Sequence, residues 1–116
     1  MNLYHCRIAL HREARALVFA KALEEWMELL QSRQTIRAWR LLRTKLHFTA
    51  EEGFDFLLEV EVDDLSQLDR AFRLVGQHAD EVGETYTRMH GMIAESRVSL
   101  YRPFPDPERA ERMALI

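Results

Sequence analysis

The chain has 116 residues, 47% of them hydrophobic and 30% charged, with a formal net charge of -3. That length suits one domain with one core, and that composition is ordinary for a globular protein and indicates neither disorder nor a membrane protein. Bases interleave with acids instead of forming the stripe of a nucleic-acid binder, and no apolar run is long enough to cross a bilayer.

Met1 to Leu10 alternates, with Tyr4, Cys6, Ile8 and Leu10 in an apolar row against Leu3, His5, Arg7 and Ala9. A period of two predicts a strand with two unlike faces. From about Glu13 to Ser32, Phe19, Leu23, Trp26 and Leu30 recur at helical steps and predict an amphipathic helix. Ile36 to Phe48 reads as a second strand, and the polar stretch from Thr49 to Gly53 as a hairpin turn. Phe54 to Val62 has the clearest alternation in the chain, with Phe54, Phe56, Leu58, Val60 and Val62 on one side. Asp64 and Gln67 have capping-box spacing, and a helix is expected from about Leu65 to Gln77, followed by a less regular helical stretch to about Arg88. Alternation returns from about Gly91 to Arg102, with a bulge expected, before Pro103, Pro105 and Pro107 end regular structure. The order is βαββαβ, a split-βαβ ferredoxin-like pattern with both helices on one face of an antiparallel sheet. One domain is expected over residues 1–102, with a tail over 103–116.

Pairing Phe48 with Phe54 around the short turn sets Leu46 against Phe56, Thr44 against Leu58 and Leu42 against Val60, beneath the helices. The reverse face then sets Arg43 against Glu59, a favourable cross-strand pair. It also carries His5, Arg7, Trp39 and Leu57. A sheet face with such apolar groups calls for a cover, which a second copy packed face to face supplies.

The opening Met1-Asn2-Leu3-Tyr4-His5-Cys6 and the closing Leu100-Tyr101-Arg102-Pro103-Phe104-Pro105-Asp106-Pro107, with Trp39-Arg40-Leu41 and Gln67-Leu68-Asp69, resemble a small bacterial family of unknown function in the dimeric α/β-barrel superfamily. The resemblance implies a homodimeric barrel and brings no catalytic residues. The wider superfamily includes cofactor-independent monooxygenases, haem enzymes, isomerases and ligand-sensing domains, and fold alone does not choose among them.

His5 is the acid/base candidate, since its reference pKa lies near neutrality; its plain reading is a hydrogen-bonded interface histidine. Arg7, Arg43 and Glu59 are candidates to orient a ligand, or else a structural ion-pair set. Trp39 is a candidate to stack on a ligand, or else an interface anchor. His78, Asp80, Glu81 and Glu84 match no metal signature, and no metal site or cofactor is expected. His47 reads as solvated, and His90 is ambiguous. Cys6 is read as a small hydrophobe; as the single cysteine it leaves no internal disulfide and fits a reducing compartment. The start of the chain lacks the basic-then-apolar order of a signal peptide, so a cytoplasmic location is expected, with neither nucleic acid nor membrane as partner. Two functions follow: a homodimer that binds or transforms a small organic metabolite in a cavity between sheet and helices or between two sheets, or a non-enzymatic ligand-sensing or protein-interaction module.

Overall fold

A computed structural model describes residues 1–46, 53–76 and 80–105, apart from the side chains of residues 80 and 81. Strand β1 (Asn2–Leu10) leads into α1 (Ala16–Ser32) and β2 (Ala38–Arg43). Strand β3 (Phe56–Val62) is followed by α2 (Leu65–Gly76), α3 (Asp80–His90) and β4 (Ile93–Tyr101). The strands lie in the order β2-β3-β1-β4, all neighbours antiparallel. This is the expected ferredoxin-like βαββαβ topology, with the second helical region divided in two. The sheet of a single chain stays open and does not close into a barrel.

Period-two patterning fixes the two sides of the sheet. Tyr4, Cys6 and Ile8 of β1 stand across from Val60, Leu58 and Phe56 of β3. Cys6, Ile8, Phe56, Leu58, Val60 and Val62 are all buried. The apolar stripe of α1 lies over them: Phe19, Leu23, Trp26 and Leu30 are buried, joined by Ala22 and Met27. Val82 and Met89 of α3 complete the core. On the other side, Leu3, His5 and Arg7 stand across from Glu61, Glu59 and Leu57.

The register of β2 differs from the expected one. Trp39 stands opposite Val60, Arg40 opposite Glu59 and Leu41 opposite Leu58. Glu59 therefore faces Arg40 instead of Arg43, a slip of three residues. An odd slip reverses every side chain of the strand. Trp39 and Leu41 lie on the helix side, packed against the core, and Arg43 follows them there, opposite Phe56. The Leu41-Leu42 doublet makes the sequence ambiguous, because either parity turns one leucine inward. Packing resolves it: the chosen parity half-buries the large Trp39 ring against the core, where apolar area counts most. Leu46, expected inward against Phe56, is 69% exposed instead. The ladder closes at a Thr44 N–H bond to the Asp55 carbonyl, 2.8 Å long. Phe54 precedes β3 and leaves its row; its ring lies beside the Arg7 and Arg97 guanidiniums, 5.1 and 5.6 Å from their carbons. The expected Phe48–Phe54 pair and most of the expected turn fall outside the described residues, as does the tail beyond residue 105.

The capping signal at Asp64 is realised. The Asp64 carboxylate accepts the Gln67 N–H at 2.8 Å, and the Gln67 side-chain oxygen accepts the Asp63 N–H at 2.6 Å. The Gln67 amide also donates to the Gln34 carbonyl at 3.1 Å. Gln34 has φ +60, the left-handed turn that ends the α1 region. Buried Gln67 thus ties the start of α2 to the α1–β2 connection. Gln67→Ala keeps the backbone N–H that bonds Asp64 but removes the two side-chain bonds, to the Asp63 N–H and the Gln34 carbonyl, and is expected to cost about 1–3 kcal/mol in urea unfolding. Arg70→Ala, at an exposed position of the same helix, is expected to change stability by no more than about 0.5 kcal/mol.

Candidate functional site

The two sides of the sheet present different chemistry. On the open side, His5, Glu59 and Arg40 lie in a row across β1, β3 and β2. The His5 and Glu59 side chains are 23% and 17% exposed, and His5 Nε2 lies 3.2 Å from Glu59 Oε1. The two atoms are out of line for a hydrogen bond, so His5 Nε2 is buried without one among the described residues. The Arg40 guanidinium bonds the other carboxylate oxygen. That bond holds the Glu59 carboxyl below the usual range, against the opposing effect of burial and with help from the charges of Arg40 and His5. The His5 ring packs on Tyr101, centroids 4.8 Å apart. Arg102 is fastened to Asn2 at 2.7 Å, tying the end of β4 back to the start of β1.

Of the predicted site residues, His5, Arg7 and Glu59 share this open face. Trp39 and Arg43 do not: the register places both on the helix side, where the Arg43 guanidinium lies 6.0 Å from the Phe56 ring centre. Arg40, exposed and adjacent in sequence to Trp39, takes the place expected of Arg43. His47 and His78 fall outside the described residues, and the side chains of Asp80 and Glu81 are not described. Among the described residues, no group of three His, Cys, Asp or Glu side chains gathers to hold a metal ion.

Between the sheet and the helices lies a cavity of about 230 Å³. Tyr4, Cys6 and Ser96 form the polar part of its floor; Trp26, Tyr86 and His90 close one wall. The aromatic rings run in series. Trp26 packs on Tyr86 at 5.2 Å, and Tyr86 stacks on His90, one helical turn along α3, at 5.0 Å and 23°. Burial pushes the Tyr4 phenol up, with Cys6 and Tyr86 adding to it. Burial likewise raises the Cys6 thiol, opposed by a hydrogen bond with Ser96. Both groups are therefore held in their protonated, donor form. The strand alternation had marked Tyr4 and Cys6 only as part of an apolar row, and the helical stripe had marked Trp26 only as core. The available signal was the Tyr86–His90 pair at i,i+4.

A family model matches the whole of residues 1–116. The chain belongs to that family, a family of unknown function (DUF6614). No curated protein matches the chain. Solved structures share the fold of this DUF6614 member at low identity. The Arabidopsis thaliana protein At3g17210 superposes with a TM-score of 0.73 at 10% identity, over 89% of this chain and 95% of that one. SnoaB, a cofactor-independent oxygenase from Streptomyces nogalater, gives 0.63 at 14% identity, over 90% and 97%. A dimeric protein of unknown function with a ferredoxin-like fold from Bacteroides fragilis gives 0.58 at 15%, over 88% and 95%. No helix among the described residues is long and apolar enough to cross a membrane.

The lowered Glu59 carboxyl makes a signed prediction. A depressed carboxylate contributes stability above its unfolded pKa, about 4.3, and loses it as pH falls through the lower folded value. Urea unfolding from pH 8 to pH 3 is expected to show the wild type more stable than Glu59→Gln at neutral pH. The gap is expected to close below about pH 4; a gap that does not depend on pH counts against the ion pair.

Proposed function

We propose that the protein is a homodimer joined through the open sheet face, and that each protomer binds a small organic molecule in the cavity between sheet and helices without a tightly bound cofactor. The cavity carries this reading. It is a half-open pocket of about 230 Å³, with buried walls and with Phe72 and Val98 exposed at its rim, and a concave apolar space with a few convergent polar groups is the usual form of a ligand site. SnoaB, described as a cofactor-independent oxygenase, supports it as a protein of the same fold with an activity that needs no cofactor. The open face supports the dimer. Leu42 and Tyr101 stand there 39% and 53% exposed beside Leu3 and Leu57, and the Bacteroides fragilis protein of the same fold is dimeric.

In this reading His5, Arg7 and Glu59 belong to the interface between sheets, on the opposite side of the sheet from the ligand. Trp39 and Arg43 are structural. The protonated state of Tyr4 and Cys6 favours binding or sensing over nucleophilic chemistry. His90, at the cavity mouth, is the imidazole within reach of a bound molecule.

Titration with p-xylene tests the cavity. The Trp26 indole resonance is expected to shift saturably in the wild type and to stay fixed in Ala71→Phe, whose added ring fills the space. Light scattering tests the assembly. A dimer is expected at micromolar concentration, and Leu57→Glu is expected to yield a folded particle of half the mass. A wild-type monomer contradicts the dimer, and an unmoved Trp26 resonance contradicts the ligand site.

A further inference from the structure

The cavity is polar at one corner only. The surfaces contributed by α1, α2 and β3 are apolar, with Leu23, Met27, Leu58, Val60, Ala71 and Val75 among them. The lining residues with polar groups come from β1, β4 and α3: Tyr4, Cys6, Ser96, Tyr86 and His90. These groups are neighbours. Ser96 stands across from Ile8, on the same sheet face as Cys6 and one row along, Tyr4 lies within electrostatic reach of Cys6 and Tyr86, and His90 stacks on Tyr86. Among the described lining residues there is no Asp, Glu, Lys or Arg.

The pocket opens to solvent past Phe72 and Val98, but an ion carried down among its buried walls gives up its hydration and meets no opposite charge, which costs far more than burying a hydroxyl that finds a donor. His90 is exposed at the end of α3, so an anion paired with it sits at the mouth and not among the apolar walls. Size narrows the class further. An engineered apolar cavity of about 150 Å³ holds benzene, so about 230 Å³ accommodates one ring with a small substituent or two.

We infer that the cavity selects an uncharged, single-ring-sized molecule bearing one hydroxyl or carbonyl oxygen, which the Tyr4 and Tyr86 hydroxyls hydrogen-bond. Carboxylates, phosphate esters and amines are rejected by desolvation. The inference rests on the cavity being a ligand site, and it assigns Tyr4 and Tyr86 as the residues that set its specificity.

Three probes of one frame test it: p-xylene, 4-methylphenol and 4-methylbenzoate, titrated by NMR at pH 7. The benzoate is expected to bind at least roughly 100-fold more weakly than the phenol. Tyr86→Phe, which keeps the ring between Trp26 and His90, and Tyr4→Phe are each expected to weaken the phenol about 3- to 10-fold. Both variants are expected to leave p-xylene within about twofold, and its binding also reports that the cavity is intact. Equal binding of benzoate and phenol overturns the inference and leaves the cavity reading standing. So does an equal loss of both neutral probes, or no loss of either, in the tyrosine variants. Failure of p-xylene itself removes both.

Discussion

Val60 holds the structure's key position. It is buried, with Trp39 across from it on one side and Tyr4 on the other. This β2-β3-β1 row sets the parity of three strands at once, because side chains alternate and a slip by one residue exchanges the faces. With Trp39, Val60 and Tyr4 turned to the helices, Arg40, Glu59 and His5 are turned away. The cavity and the ion-paired face are consequences of the same row, seen from its two sides. The packing of the Trp39 ring against the core fixes the choice more firmly than the Arg40–Glu59 pair on the other face, since ion pairs reached by water add little.

The sequence announced most of the architecture. The Phe56, Leu58, Val60, Val62 alternation is strict, the α1 stripe is regular, and the Asp64–Gln67 cap forms as its spacing implies. The bulge expected in the last strand is real: the register shifts at Ala9 and Leu10, and β4 accommodates it by carrying Ala94 as the extra residue. β2 was less legible. Its run of Trp39, Leu41, Leu42 and Leu46 offers an apolar match in either parity, and a short-turn hairpin selected the wrong one. Trp39 and Arg43 moved to the helix side as a result, and Arg40 took the partner assigned to Arg43. Long-range packing settled this, and no local pattern contains it.

The site was harder still, because its residues look like core. Tyr4 and Trp26 fall on apolar stripes, and only three dimensions reveal that the stripes fail to meet. A void is a property of what is missing between elements, so periodicity does not report it. The histidine that attracted attention, His5, is well placed in the sheet but on the far side from that void. Among the described residues, the histidine that lines it, His90, had no more to recommend it in sequence than its place four residues after Tyr86.

The strand order leaves β2 and β4 at the margins of the sheet, and a bare margin invites another chain to add a strand. Both margins are guarded. β2 carries Arg40 and Arg43, with Arg37 just before it, and β4 carries Glu95, Arg97 and the kinked Ala94. Charges and bulges of this kind deter runaway sheet extension. The margins of the sheet are thus kept from the sideways stacking that leads to fibres, whatever meets its broad surface.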